Sequence, residues 1–289
     1  MDAVRQLSLV LIVGLLAATP SSGRAGRSAS DRGGSSVTAL FAQSASEVLH
    51  REFPDDHISY LLLDAQTGAV IASRWENPGT PIPLGSLVKP FIALAYGEQH
   101  AFRYPAHICQ GTATGCWLPR GHGTVDLASA IAYSCNSYFR ALTGNMTTSE
   151  VFSVANRFGL QTPDPGTSGA ALSGLGDHWR ISPLNMARAY LELVRRRDQP
   201  GSRAILGGMA ESALRGTGSE VDRALPYPNA LVKTGTAACT HSRRAPGDGF
   251  TIAMVPAGQP QILLMVRIHG TVGAQAARTA GQMLRRIQD

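Results

Sequence analysis

Residues Pro83 to Phe91 read PLGSLVKPF. Lys89 in this stretch is one of only two lysines in a chain that uses arginine 24 times. The choice of cation therefore needs a chemical reason. Ser86 precedes Lys89 by three residues at an expected helix start, which puts both side chains on one face within hydrogen-bonding reach. A serine hydroxyl is a weak nucleophile until a base removes its proton. Lysine can be that base when burial or a neighbouring cation lowers its pKa, whereas arginine stays protonated. The unpaired N–H groups of a helix start, that of Ser86 included, can face a developing oxyanion. Pro90 falls in the first turn, where its missing N–H does least harm.

The second lysine, Lys233, opens Lys233-Thr234-Gly235-Thr236 inside the β-branched run ALVKTGTAAC. Gly235 would let a substrate backbone lie against the strand edge. The ammonium and the hydroxyls of Thr234 and Thr236 make an anchor for a carboxylate, and the Thr236 N–H is a candidate second oxyanion donor. Between the two lysines lies Ser134-Cys135-Asn136. Ser134 is placed to relay a proton to a leaving amine, and Asn136 to hold Lys89 and a substrate amide. Each triplet alone recurs by chance. Their joint occurrence around the only two lysines, in this order, is what carries weight.

GSLVK, SCN and KTGT together resemble the three active-site motifs of the penicillin-binding proteins and serine β-lactamases. The similarity is wider than the motifs. LLLDAQTGAVIA resembles the first hairpin of penicillin-binding transpeptidase domains, GLGDHWRISPLNMARAYLEL a late Gly-rich loop and helix, and GFTIAMVPA the strand after the third motif. It spans roughly residues 55 to 289. The resemblance implies a serine acyl-transferase acting on D-alanyl-D-alanine stem peptides of peptidoglycan and acylated by β-lactams at Ser86, with no cofactor. It also implies cell-wall synthesis proteins as possible partners. Cys135 departs from the frequent Ser or Asp at the middle of the second motif; facing the helical core, it should leave the chemistry intact. The pedestal and glycosyltransferase domains of multidomain relatives are not expected here.

The order of elements agrees with that family. ISYLLLDAQTGAVIASRW reads as a hairpin turning at Gly68, and Leu84 to about Val194 as a mostly helical block. ALVKTGTAAC, GFTIAMVPA and QILLMVRIHG read as strands, and GAQAARTAGQMLRRI as a closing amphipathic helix. Strands from both ends can complete one antiparallel sheet. The expected class is α+β: an antiparallel sheet flanked by helices, with an inserted helical subdomain, like β-lactamases and transpeptidases. A first helix is expected over Thr38 to Arg51, with Leu40, Phe41, Val48 and Leu49 as its apolar positions.

The N-terminus sets the compartment. Arg5 followed by the apolar run Leu7 to Ala18 reads as a signal peptide or signal anchor over 1–25, too short for the ~20 residues of a comfortable span. Residues 26–37 read as a Gly/Ser/Arg linker and 38–289 as the working domain, exported to the periplasmic or extracellular face. Membrane contact would come only through an uncleaved signal. In that oxidising setting, Cys109 and Cys116 are expected to form a local disulfide, and Cys135 and Cys239 to be reduced, buried and structural. A metal site of His107, Cys109, Cys116 and His122 is the competing reading; its spacing fits no compact zinc pattern, so no metal is expected. The net charge of +6 comes mostly from scattered arginines, without the basic runs interleaved with aromatics of nucleic-acid binders. Arg243 and Arg244, in a loop with no counterpart in the resemblance, read as solvated, with contact to an acidic stem peptide as the other reading.

Three fates of an acyl-enzyme separate the readings: transfer to an amine (transpeptidase) or water (carboxypeptidase), drug hydrolysis by a β-lactamase, and retention by a non-catalytic receptor or scaffold. No ExxLN segment supplies a class A lactamase base, and Asn136 with the lack of a YGN stretch argues against class D. The transpeptidase or carboxypeptidase type is the reading favoured.

Overall fold

The computed structural model describes residues 30–239 and 247–288, with side chains from Leu40 onward. Contacts divide the chain into Met1–Ala39 and Leu40–Asp289. Of the first unit, only the backbone from Ser30 is described, and it is helical. The expected signal segment, Arg243 and Arg244 lie outside the described residues. Among those described, no helix is long and apolar enough to cross a membrane.

Helix α1, Ser30–Glu52, begins eight residues before the expected Thr38 and takes in much of the stretch read as linker. Once a turn exists, each added residue gains a hydrogen bond, so a polar segment can extend a helix. Its buried positions are Ala45 and Leu49, whereas Leu40 and Phe41 are 64% and 37% exposed. The expected apolar face is thus rotated away from Leu40 and Phe41.

Strands β1 (Ile58–Asp64) and β2 (Val70–Arg74) form the expected hairpin. Asp64 Oδ1 accepts from the Gln66 and Thr67 N–H groups, and Gly68 has φ 73°. That left-handed conformation costs a glycine nothing. After the short β3 (Ile82–Pro83), a 3₁₀ turn at Gly85–Val88 runs into α2, Lys89–Gln99. The block that follows is less uniformly helical than its sequence suggested. A two-stranded ribbon, β4 (His107–Cys109) with β5 (Gly123–Val125), interrupts it. The segment through the second motif holds two helices, α3 (Leu127–Ala132) and α4 (Asn136–Thr143). Then come α5 (Thr148–Arg157), β6 (Arg180–Ile181) paired with β3, and α6 (Pro183–Arg195).

Two further helices, α7 (Ser202–Arg215) and α8 (Ser219–Ala224), were not foreseen. Gly207 and Gly208 mid-segment lower helix propensity and masked the apolar spacing of Ile205, Met209 and Ala213. Gly208 has a tertiary reason: a Cβ there would stand 2.6 Å from the Ala128 carbonyl of α3.

The chain closes with β7 (Leu231–Ala237), β8 (Asp248–Val255), β9 (Ile262–His269) and α9 (Gly273–Gln288). The five long strands form an antiparallel sheet ordered β2-β1-β9-β8-β7. β9 lies between β1 and β8, so both ends of the chain build one sheet, as expected. One face buries Leu61, Leu63, Ile252, Met254 and Met265 in a core shared with α2 and α6. The other buries Tyr60, Leu62, Val232, Leu264 and Val266 against α1 and against Ala277, Ala280, Met283 and Leu284 of α9. Strand alternation then points Lys233 towards the helical block. β7 is an edge strand.

Candidate active site

The turn carrying Ser86 sits tightly on β7. Gly85 has φ 56°, and a Cβ there would come within 2.2 Å of the Thr236 carbonyl. From the other side, a Cβ on Gly235 would lie 2.7 Å from the Leu84 carbonyl. The turn is 3₁₀ rather than α, and in a 3₁₀ turn residues i and i+3 eclipse, so Ser86 and Lys89 share a face. The Tyr190 hydroxyl of α6 donates to the Leu87 carbonyl at 2.8 Å and holds the turn from beneath.

Lys89 is fully buried. Its Nζ donates to the Ser134 carbonyl at 2.8 Å and to Asn136 Oδ1 at 2.7 Å, and lies 5.3 Å from the centre of the Phe139 ring. Asn136 therefore holds Lys89 as its position in the sequence suggested, while neither bond goes to Ser86. Burial lowers the pKa of Lys89 to about 7, against an opposing pull from Cys135 and Cys116. Lys233 is equally buried; its Nζ donates to Ser134 Oγ at 2.9 Å and to the Thr234 carbonyl at 2.7 Å. Burial, then repulsion from Lys89, depresses its pKa well below that of a free lysine.

Ser134 thus joins the two lysines, its carbonyl to Lys89 and its hydroxyl to Lys233. It adopts φ 51°, a left-handed conformation uncommon for a residue with a Cβ. This residue lies between α3 and α4, and its conformation breaks the helical path there. Such strain persists only where surrounding contacts over-determine it.

A cleft of about 440 Å³ opens over these groups, lined by Ser86, Trp117, Ser134, Asn136, Leu175, Thr217, Thr234, Gly235, Thr236 and the start of α9. Lys233 does not line it. Of the expected carboxylate anchor, Thr234 and Thr236 line the cleft, and the Lys233 ammonium is buried against the Ser134 hydroxyl. The Thr236 hydroxyl accepts from the Gly273 N–H at 3.0 Å. Trp117, Leu175 and Thr217 were not singled out from sequence. Thr217 shares a 2.6 Å hydrogen bond with the Thr234 hydroxyl and donates its N–H to the Ala132 carbonyl, links between distant segments that no local pattern announces.

The cysteines depart from expectation. All four are free, and the expected Cys109–Cys116 bridge is not formed. Both sulfurs turn towards His122 instead, each 3.5 Å from its Nδ1. Cys135 joins them, its sulfur 3.9 Å from that of Cys116, so it belongs to a cluster rather than standing alone. His107 stays outside this cluster and bonds the Ser137 hydroxyl at 2.6 Å. Cys239 is partly rather than fully buried.

The comparisons bear on family and fold. The model of the penicillin-binding protein transpeptidase domain matches residues 58–289. Pseudomonas aeruginosa PBP2, solved in complex with WCK 5153, superposes with a TM-score of 0.69 at 18% identity, over 86% of this chain and 73% of that one. The transpeptidase domain of Burkholderia pseudomallei penicillin-binding protein 3 gives 0.64 at 18%, over 88% and 92%. Helicobacter pylori PBP2, solved as a complex with MreC, gives 0.66 at 15%, over 86% and 62%. No curated protein matches in sequence. With a family model covering all but the first 57 residues, and a fold shared with those structures, the chain belongs to the penicillin-binding protein transpeptidase domains.

Proposed function

We propose that this domain is a D,D-acyl-transferase in which Ser86 is acylated by D-alanyl-D-alanine stem peptides and by β-lactams. The observation that carries the reading is that Lys89 and Lys233 both hydrogen-bond Ser134, one at its carbonyl and one at its hydroxyl, while Ser86 and Ser134 line the same cleft. Neutral Lys89 takes the Ser86 proton as the oxygen attacks the penultimate D-alanyl carbonyl. The N–H groups of Ser86 and Thr236 receive the oxyanion. Ser134, supplied with a proton by Lys233, protonates the departing D-alanine amine. The terminal carboxylate meets the Thr234 and Thr236 hydroxyls. Because β7 is an edge strand, an extended peptide can lie along it by strand addition.

Transfer of the acyl group to an amine of a second stem peptide completes a transpeptidase cycle, and transfer to water that of a carboxypeptidase. Beyond Trp117, a second groove of about 590 Å³ carries Arg215 and Arg278. Both arginines are paired with glutamates, Arg215 with Glu211 and Arg278 with Glu220. Among the described residues, no carboxylate lines the cleft. Export to the wall, and docking on a wall-synthesis protein, as the Helicobacter pylori complex shows for its own PBP2, belong to the same proposal.

The test is the intact mass of the protein mixed with penicillin, followed over hours beside Ser86→Ala. A lasting adduct, absent from the variant, is expected. Drug loss without an adduct would make the protein a lactamase. Neither adduct nor drug loss would mean a scaffold without this chemistry.

A further inference from the structure

Between α7 and α8 the chain reads Gly216-Thr217-Gly218. A Cβ on Gly216 would stand 2.3 Å from the Ala132 carbonyl, and one on Gly218 2.3 Å from Val232 Cγ1. Close packing therefore demands both glycines, one against the end of α3 and the other against β7. Thr217 is wedged between them. Its N–H donates to the Ala132 carbonyl at 3.1 Å. Its hydroxyl lies 3.3 Å from that same carbonyl and 2.6 Å from Thr234 Oγ1. One residue thus ties the approach to the second motif to the third motif, at the wall of the cleft.

The hydroxyl protons around this contact can be counted. An ionised carboxylate only accepts hydrogen bonds, so Thr234 and Thr236 must both donate to one that they bind. Thr236 is set for this, because its oxygen accepts from the Gly273 N–H and its own proton is left for the cleft. Thr234 has two arrangements open to it. In the first it donates to Thr217, which donates in turn to the Ala132 carbonyl, and its proton is spent. In the second Thr217 donates to Thr234, whose proton then turns to the cleft. The second keeps the 2.6 Å bond and gives up only the 3.3 Å contact, to a carbonyl that already accepts the Thr217 N–H.

We propose that Thr217 is a positioning residue that sets Thr234 as a donor, and so makes the site select a free carboxylate over a neutral terminus. The inference rests on the acyl-transfer reading for the identity of the ligand, a peptide or β-lactam that carries such a carboxylate. Thr217 acts through Thr234. A hydroxyl that accepts a hydrogen bond becomes a stronger donor, so the bond from Thr217 strengthens the one that Thr234 makes to the ligand. A charged acceptor gains most from a stronger donor, and an ester or amide gains little. No covalent bond changes; only the hydroxyl protons reorient.

The test compares ligands that differ only at that terminus, in chains that differ only at that hydroxyl. NMR titration of the full chain carrying Ser86→Ala measures binding of an N-acyl-D-alanyl-D-alanine peptide and of its C-terminal amide, with no acylation required. Thr217→Val keeps the branched shape and removes the donor. It should weaken binding of the acid by about 3–10-fold, the worth of one hydrogen bond, and leave the amide unchanged. Thr217→Ser should restore the acid, and Thr217→Ala supplies a second donor-free chain if the valine variant does not fold. With Ser86 intact, Thr217→Val should slow acylation by benzylpenicillin more than by its methyl ester. Equal loss for acid and amide would mean a merely structural role and overturns the proposal. So does unchanged acid binding in the donor-free chains, or a site that binds acid and amide alike before Thr217 is altered. Acid-selective binding that depends on Thr217, in a chain that penicillin does not acylate, would uphold this inference while removing the acyl-transfer reading.

Discussion

Lys89 shows how one residue choice can be read as chemistry. A buried ammonium without a carboxylate partner loses its hydration and is pushed towards neutrality, and here the pKa falls to about 7. Lys89→Arg keeps a cation but places a permanently protonated, larger group in a closed pocket. Acylation by penicillin should fall by about 10²–10⁴-fold, the usual worth of a general base, while Lys233 and Ser134 are untouched. Stopped-flow acylation, with thermal unfolding as a control for folding, measures this; near-normal acylation would remove Lys89 from the role of base. The motif residues could be read from sequence because their chemistry is unusual for their surroundings. Trp117, Thr217 and Tyr190 could not, because an ordinary aromatic or hydroxyl residue acquires its role only from what the fold brings beside it.

At the scale of elements, the fit between the nucleophile turn and β7 rests on two glycines. Gly235→Ala would drive a Cβ to 2.7 Å from the Leu84 carbonyl, a backbone atom that cannot rotate away. Urea unfolding should show a loss of about 1–3 kcal/mol, the range for overpacking, with slower acylation as the Ser86 turn is pushed off the strand. Gly207 is the contrast. It sits in α7, where an added Cβ would meet nothing within 4 Å, so Gly207→Ala should stabilise by about 0.5–1 kcal/mol at unchanged activity. Equal effects of the two substitutions would show that the turn-to-strand contact has no special weight. The first hairpin and the closing strands were legible from period-2 runs ending in turn residues. The break between α3 and α4 was not, because it comes from the contacts that hold Ser134 in a conformation its local sequence does not favour.

At the scale of the molecule, the sheet is buried on both faces and the candidate site sits at one edge, so stability and activity should separate. Leu284 of α9 is fully buried in the core on the sheet face away from the helical block. Leu284→Ala should cost about 2–5 kcal/mol, the range for a buried leucine, and lower the melting temperature. Acylation measured well below that temperature should be nearly unchanged. A large loss of acylation under those conditions would mean that α9, whose first residue Gly273 lines the cleft, transmits its packing to the site.

From the sequence alone came the antiparallel sheet drawn from both ends of the chain and the family, and with them the residues proposed to carry the chemistry. These depend on side-chain chemistry and on hydrophobic periodicity, both written locally. The tertiary structure decided which groups meet. It placed Lys233 behind Ser134 rather than in the open cleft. It turned two cysteines away from each other and towards His122, and added a third from 19 residues further along the chain. The physical reason is range: a hydroxyl's or thiol's partner is set by distances of a few ångströms between segments far apart in sequence, and no local pattern encodes that approach.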